Sequence, residues 1–376
     1  MFNKKALMVM SVIATLFITT FTACSKKVSA PENIKIGAIL PLTGAVASLG
    51  VPMKNAIELA ASNINAAGGI NGKPIEVVYE DSVGNPKIAV SAVQKLITAD
   101  KIQVVIPFMT GVIQAIKPIT ESNKVVLMAQ SVYPPIIKDT KYTFRVFYSF
   151  ATESEKIIDE IKRNKIQNIA FIRSKDAATE YQVAEYLIPK LKLNGVTNII
   201  DETFDVGNLD FKTQVSKVKG AKVSAVVVLG FGSDFPNLVK ELGQQGLLTS
   251  LKVIGGIGFE EIPQTIPLKM LDGVVFFAPP YYLEATPGKI QFQEQYAAKY
   301  GKGDITYAAG YSYDSMMLLA KALENLKPYN PDGLKSRILE LQTFNGITGP
   351  IIILPNGDCD TSVVRVTYKN GVLIKL

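Results

Sequence analysis

Residues 34–79 read IKIGAILPLTGAVASLGVPMKNAIELAASNINAAGGINGKPIEVVY. Ile34 to Leu40 is an apolar run of strand length, and Pro41 to Gly50 reads as the loop that leaves it. Met53, Ile57, Ala60, Ala61 and Ile64 then share one face of a helix, which Gly68-Gly69 stops. Pro74 to Tyr79 returns as a second strand. The same alternation continues outward: Pro86 suits the first position of a helix running through Ile97, followed by a strand at Ile102 to Ile106. A helix after Gly111 and a strand at Val125 to Met128 complete the series. These strands are apolar nearly throughout, the pattern of a parallel sheet covered on both faces.

A second series starts near Ser149. Strands are expected at Ile169 to Ile172, Asn198 to Ile200, Ala225 to Leu229, Lys252 to Ile254 and Val274 to Phe277. Helices are expected around Tyr181 to Leu193, Phe211 to Val218 and Asp234 to Leu242. Two such units in tandem predict two α/β lobes of one architecture, in keeping with 376 residues, which exceed the usual size of one core. Helical segments at Lys289 to Tyr300 and Tyr311 to Leu326 follow. The chain ends in strand-like Ile351 to Leu354 and Val363 to Tyr368 around the turns Asn356-Gly357 and Asn370-Gly371.

Composition narrows the function. An apolar share of 48% against 19% charged describes a chain with a substantial interior. Asn3, Lys4 and Lys5 precede an uncharged run from Ala6 to Thr22, the layout of a secretory signal. It ends at Phe21-Thr22-Ala23-Cys24, which resembles a bacterial lipobox, with Cys24 as the lipidated residue. Residues 1–23 are therefore expected to be a lipoprotein signal peptide and 24–33 a polar tether. A multi-chain lipid would hold the protein durably at a membrane surface. No other stretch has the apolar length of a membrane span. The only cysteines are Cys24 and Cys359, so no internal disulfide is expected, and Cys359 reads as a free thiol in a turn.

The formal charge is +7, and removal of Lys4 and Lys5 with the signal leaves +5. The basic residues sit beside acids, as in Lys240-Glu241, with no basic stripe interleaved with aromatics. That excludes a nucleic-acid surface and leaves attraction to an anionic membrane as the use of the surplus. The chain has no histidine, which removes the commonest general base, the Ser-His and Cys-His pairs and most metal sites. Gly68-Gly69-Ile70-Asn71-Gly72-Lys73 has the wrong spacing for a phosphate loop, and Gly230-Phe231-Gly232 lacks the third glycine of a dinucleotide fingerprint. No catalytic residue, metal or cofactor is expected.

A resemblance covers the chain from about Ile34 to its end. Ile36-Gly37, Pro41-Leu42-Thr43-Gly44, Ala47, Gly50, Ala56, Leu59-Ala60, Asn65, Gly68-Gly69-Ile70 and Gly72 are similar to the opening of periplasmic leucine/isoleucine/valine-binding proteins. Asp81, Pro86, Ala89 and Leu96-Ile97 continue it. Phe144-Arg145, Asp210-Phe211, Gly246-Leu247, Tyr307-Ala308-Ala309, Tyr313-Asp314, Thr348-Gly349 and Asn356-Gly357-Asp358 extend it. The resemblance implies the type I periplasmic binding protein fold: α/β, with two Rossmann-like lobes of parallel-rich sheets joined by a three-segment hinge. Crossovers are expected near Ser149, Pro279-Pro280 and Gly346, giving lobe 1 as 34–148 with 281–345 and lobe 2 as 149–280 with 346–376. It implies an extracytoplasmic, monomeric, lipid-anchored solute-binding protein that hands a small molecule to the permease subunits of an ABC transporter. A ligand-sensing receptor component on the same scaffold is the alternative.

The site is expected beyond the carboxyl ends of the strands, where a helix N-terminus can hold a carboxylate without a cationic side chain. Met109, Thr110 and Gly111 are placed for this, with Thr110 where the family carries a serine. Leu49 occupies the position of a contact to the ligand's side chain, and Ser131 lies in the loop that helps to grip an α-amino group. Val132 replaces a common threonine, Thr179 stands where the second lobe offers a tyrosine, and Phe231 where an aromatic closes over the ligand. Ile257 falls where an acid normally meets the ligand ammonium. A buried ammonium needs anionic or several polar partners, which Val132 and Ile257 cannot supply. The expected ligand is a small carboxylate-bearing metabolite, an amino acid or an apolar or aromatic acid; an ordinary α-amino acid is less favoured than family membership alone implies, unless Glu260 or Glu261 restores the amine site. Tyr313 and Asp314 read as a structural pair at a helix start.

Overall fold

In the first strand, β1 (Ile34–Leu40), every side chain except Lys35 is buried, as its unbroken apolar pattern requires. The computed structural model describes residues 33–232, 235–260, 262, 266–280, 283, 285–301 and 305–376. The expected signal peptide, the lipidation site Cys24, most of the tether and Tyr281 lie outside the described residues. β1 joins β2 (Ile75–Asp81), β3 (Val104–Pro107), β4 (Val126–Ala129) and β5 (Thr143–Arg145) in a parallel sheet of order β2-β1-β3-β4-β5. The helices α1 (Ala47–Ala66), α2 (Pro86–Thr98) and α3 (Thr110–Ser122) alternate with these strands.

After α4 (Phe150–Arg163) the pattern repeats with β6 (Asn168–Ser174), β7 (Asn198–Phe204), β8 (Ala225–Leu229), β9 (Lys252–Gly255) and β10 (Val275–Ala278). Their order, β10-β9-β8-β6-β7, is that of the first sheet read from the other edge, and all four pairings are parallel. Intervening helices are α5 (Ala177–Glu180), α6 (Ile188–Leu193), α7 (Lys212–Gly220), α8 (Phe235–Gln244) and α9 (Leu247–Ser250). Then come α10 (Pro287–Tyr300), α11 (Tyr307–Leu323) and α12 (Pro331–Glu340). A small antiparallel sheet contains β11 (Thr343–Gly346), β12 (Gly349–Ile353) and β13 (Cys359–Thr361). The antiparallel strands β14 (Val364–Lys369) and β15 (Val372–Lys375) extend the second large sheet beyond β10.

Several boundaries differ from the sequence reading for physical reasons. Gly50 lies inside α1, because a β-carbon there would stand 1.9 Å from the Pro41 carbonyl oxygen. The glycine permits close packing of strand exit on helix and does not belong to a loop. The single helix expected at Tyr181 to Leu193 runs from α5 through a π-helical turn, Tyr181–Leu187, into α6. Pro189 lacks an N–H and falls just after that turn, where the altered hydrogen-bond spacing accommodates it. The sequence reading contains neither β5 nor α4: β5 is three residues long, and α4 buries Ile157, Ile158 and Ile161 within an otherwise charged segment. The expected lobe boundary between 345 and 346 falls within β11.

Arg145, at the end of β5, ties the connecting segments together. It is 2% exposed and pairs through Nε with Asp358. Its remaining nitrogens donate to the carbonyls of Ser131, Phe147, Tyr148 and Cys359. Asp314 plays a similar part at the turn after β11, where it accepts from the Ile347 and Thr348 amides and the Thr348 hydroxyl. Asp314 is thus structural, but it lies inside α11 and not at a helix start, and Tyr313 Oη accepts from Asn63 Nδ2, so the two do not form the expected pair.

Candidate functional site

In each large sheet the strand order reverses next to its first strand, so the loops after β1 and β3, and after β6 and β8, leave in opposite directions and open a crevice. These loops border one cavity of about 580 Å³. Leu49, Met109, Thr110, Gly111, Ser131, Val132, Thr179, Phe231 and Ile257, the residues expected to meet the ligand, all line it. Its walls are largely apolar and aromatic, with Phe108, Phe147, Tyr148, Phe150 and Tyr307 beside the predicted Leu49, Val132, Phe231 and Ile257.

The two sides differ in their electrostatics. On the first, Met109 precedes α3 with φ of 77°, and no side chain caps the helix. Such a φ is costly for a side chain with a β-carbon. The first four N–H groups of a helix have no intrahelical acceptor, so those of Thr110, Gly111 and Val112 form a positive terminus at a wall that they line. Thr110 Oγ1 and Ser131 Oγ share a hydrogen bond of 2.8 Å, and Ser131 Oγ also accepts from the Tyr133 amide at 3.2 Å. On the second side the corresponding terminus is already neutralised. Asp176 accepts from the Ala178 and Thr179 amides and from the Ser174 hydroxyl. A ligand carboxylate therefore meets an open helix terminus at α3 and a carboxylate at α5.

Glu153, on the first turn of α4, is the feature that the sequence reading missed. It lines the cavity yet is 0% exposed. Gln182 Nε2 donates to its Oε2 at 2.6 Å, and the backbone amide of Ile257 donates to its Oε1 at 2.9 Å. The acid absent from the Ile257 side chain is thus supplied by another element, held on the Ile257 main chain. Glu260 is not among the lining residues, and Glu261 lies outside the described residues. Ser149, which caps α4, and the spacing of Ile157, Ile158 and Ile161 are the signals that mark this helix in the sequence.

Burial pushes the Glu153 carboxyl up to about 8, against the opposing hydrogen bonds from Gln182 and Ile257. An acid raised in the native state keeps its proton where the unfolded chain has lost it. Its stabilising contribution is complete below about 4.5 and disappears as pH rises through about 8. Between pH 6 and 7.5 the ligand-free protein is expected to lose about 2 kcal/mol relative to Glu153→Gln, whose residue 153 does not titrate. Paired urea melts of the two proteins check this, and parallel pH profiles would contradict it.

Tyr133, from the loop after β4, meets Tyr181 at the start of the π-helical turn edge to face, with centroids 4.7 Å apart. Among the described residues, no group of histidine, cysteine, aspartate and glutamate is arranged to hold a metal ion. No helix among them is long and apolar enough to cross a membrane.

Two repeated parallel sheets whose crevices share a partly open, apolar-walled cavity with a few convergent polar groups define a small-molecule binding protein. The chain belongs to the periplasmic binding protein family, which it matches over residues 33–369. The family binds solutes and is not enzymatic, and membership implies a location outside the cytoplasm. The Leu/Ile/Val-binding protein homolog 3 of Brucella melitensis is 29% identical over 61% of this chain, which spans 62% of that relative's length. The branched-chain amino acid transporter substrate binding protein LivJ from Streptococcus pneumoniae, solved in complex with isoleucine, is 26% identical. It has a TM-score of 0.79 over 91% of this chain and 98% of that one. A solute binding protein of an ABC transporter from R. palustris, solved with benzoate, shares the fold at a TM-score of 0.81 and 18% identity, over 92% and 96%.

Proposed function

We propose that the chain is the lipid-anchored solute-binding component of an ABC importer and that it encloses a small carboxylate-bearing solute between its lobes. The observation that carries the ligand reading is the uncapped N-terminus of α3, with the Thr110 and Ser131 hydroxyls beside it, on the wall of an otherwise apolar cavity. A carboxylate there accepts main-chain and hydroxyl hydrogen bonds and neutralises the helix terminus, while the solute's apolar part lies against Leu49, Val132, Phe231 and Ile257. The isoleucine and benzoate carried by the two solved relatives both have a carboxylate on an apolar body.

Lobe 1 is taken as 34–148 with 281–345 and lobe 2 as 149–280 with 346–376; membership of the two large sheets supports the division at 149. Binding is a shift from open to closed lobes, driven by contacts available only when both reach the solute. The permease subunits would then recognise the closed, monomeric form. Anchoring is through Cys24, and Cys24→Ser is expected to move the protein from the membrane to the soluble fraction.

The test of the site is titration calorimetry of wild type and Thr110→Val with short carboxylic and amino acids, with small-angle scattering to read closure. A hydrogen bond to a charged group contributes about 1.5–3 kcal/mol, so Thr110→Val is expected to bind about 10- to 100-fold more weakly, in addition to losing about 1 kcal/mol of fold stability with its buried hydrogen bond to Ser131. Equal affinities, or binding without any change in scattering, would refute the reading.

A further inference from the structure

The turns that enter β6, β7 and β8 come together at the end of the second sheet remote from the cavity. These strands are neighbours in the order β8-β6-β7 and run parallel, so the residues before them share one end of the sheet. Gln167 O accepts from the Thr197 and Asn198 amides, and Asn168 O from the amide and hydroxyl of Ser224, which pins the three turns side by side. That end is basic. Lys162 and Lys165 lead into β6, Lys192 into β7, and Lys219 and Lys222 into β8, and all five are exposed. None of the five takes part in an ion pair among the described residues, because the nearby acids are engaged elsewhere. Glu155 pairs with Lys190, Glu202 with Lys217, and buried Glu160 with Arg365, Lys252 and, at 3.9 Å, Arg163. Asp159, one turn back on α4, is exposed and offsets one of these charges. At the matching end of the first sheet the signs are mixed: Asp100-Lys101 precedes β3, and Lys124 before β4 pairs with Asp332.

We propose that this end of the second lobe docks on an anionic bilayer, with its five lysines on lipid phosphates and Leu193 in the headgroup layer. Leu193 stands between Lys192 and Asn194 and is 87% exposed. One exposed leucine signifies nothing by itself. Among lysines it completes the makeup of a face that rests on lipid, with ammonium groups at headgroup level and an apolar tip beneath them. The cations are lysines on flexible stems, which suit many interchangeable phosphates, whereas arginine's fixed fork suits one bidentate partner. The proposal goes beyond the solute reading and gives a location to the positive surplus of the chain.

The docking also sets an orientation. The strands of both sheets run toward the cavity, so Ile34 and the basic face lie at opposite ends of the molecule. β1 and β6 have seven residues each, and laid end to end they set these ends about 46 Å apart. Residues 24–33 span at most about 36 Å. With the anchor at Cys24 as proposed above, one membrane meets both ends when the protein lies along it, which brings both lobes to the bilayer. The orientation rests on that anchor, and the docking itself does not. Because the lysines are exposed, their attraction is screened by salt and is expected to fade as the Debye length shrinks from about 10 Å at 0.1 M to about 3 Å at 1 M.

The experiment is flotation of the full chain with vesicles of phosphatidylcholine alone or with about 30% phosphatidylglycerol, at about 0.05 and 0.5 M salt. Every protein carries Cys24→Ser and the same N-terminal segment, so any lipid affinity of that segment is common to each comparison. The parent is expected to bind the anionic vesicles at low salt and to leave them at high salt, a result that needs no further variant. Exchange of Lys162, Lys165, Lys192, Lys219 and Lys222 for Gln is expected to weaken binding about 100-fold or more, at about fivefold per lysine. Leu193→Ser is expected to weaken it about tenfold. The same five-fold exchange at the other end, of Lys35, Lys73, Lys101, Lys138 and Lys141, removes equal charge and is expected to leave binding within about threefold. Equal binding to both kinds of vesicle, no loss in the first five-lysine variant, or an equal loss in the second would overturn the proposal. Inorganic polyphosphate binding as tightly as the anionic vesicles, with Leu193→Ser without effect, would assign the face to a soluble polyanion and overturn the bilayer. None of these residues borders the cavity, so solute binding is expected to persist in every variant, and the solute reading stands or falls separately.

Discussion

Arg145→Ala is expected to destabilise the protein by about 3–5 kcal/mol, or to prevent its accumulation as a folded chain, because the change strands a partly buried carboxylate and several carbonyls together. The guanidinium pairs with Asp358, and its NH1 donates to Phe147 O at 2.6 Å, Tyr148 O at 2.9 Å and Ser131 O at 3.3 Å. NH2 donates to Cys359 O at 2.8 Å. These acceptors lie on three separate segments: the loop after β4, the passage from β5 to α4, and the start of β13. A planar, five-donor group can serve all of them at once. Arg145→Lys preserves the charge but offers a single ammonium, so it is expected to recover only part of the loss. The urea midpoint at unchanged slope is the measurement. If Arg145→Ala melts within about 1 kcal/mol of wild type, these hydrogen bonds do not hold the crossing together.

Gly258→Ala is expected to damage both stability and binding while touching no ligand-contacting side chain. A β-carbon at 258 would lie 2.1 Å from the carbonyl oxygen of Gly230 and 3.2 Å from Phe235 Cε1. The obstacle is backbone, so no rotamer change relieves it, and the loops after β8 and β9 must separate. Those loops carry Phe231 and Ile257 to the cavity, and Ile257 N holds Glu153. A loss of about 1–3 kcal/mol in stability is expected, with solute affinity down about tenfold or more. Gly220→Ala is the control, because nothing lies within 4 Å of a β-carbon there. Melts and titrations of the pair decide the matter, and a Gly258→Ala protein with wild-type affinity would show that the two loops need not touch.

Much of this architecture was legible in local pattern. β1 and β8 occupy Ile34–Leu40 and Ala225–Leu229, the bounds that their apolar runs predict. Leu49, Thr110 and Ser131 reach the cavity because a strand followed by a helix in a parallel sheet exits at the crevice, a rule that depends only on element order. The reading failed where the local signal was weak. β5 is too short to show a period, and α4 buries three isoleucines among charges, so the carboxylate on its first turn went unseen.

The sequence by itself determined the alternating strands and helices, the repeated unit, the absence of histidine chemistry and the residues at the strand exits. All of these are properties of neighbours along the chain or of composition. Only the tertiary structure decided that Gln182 and the Ile257 amide meet Glu153, since the three come from three elements and Glu153 and Ile257 are 104 positions apart. Burial of that carboxyl follows from the packing of α4 against the second sheet, and no periodicity records how much water such packing excludes.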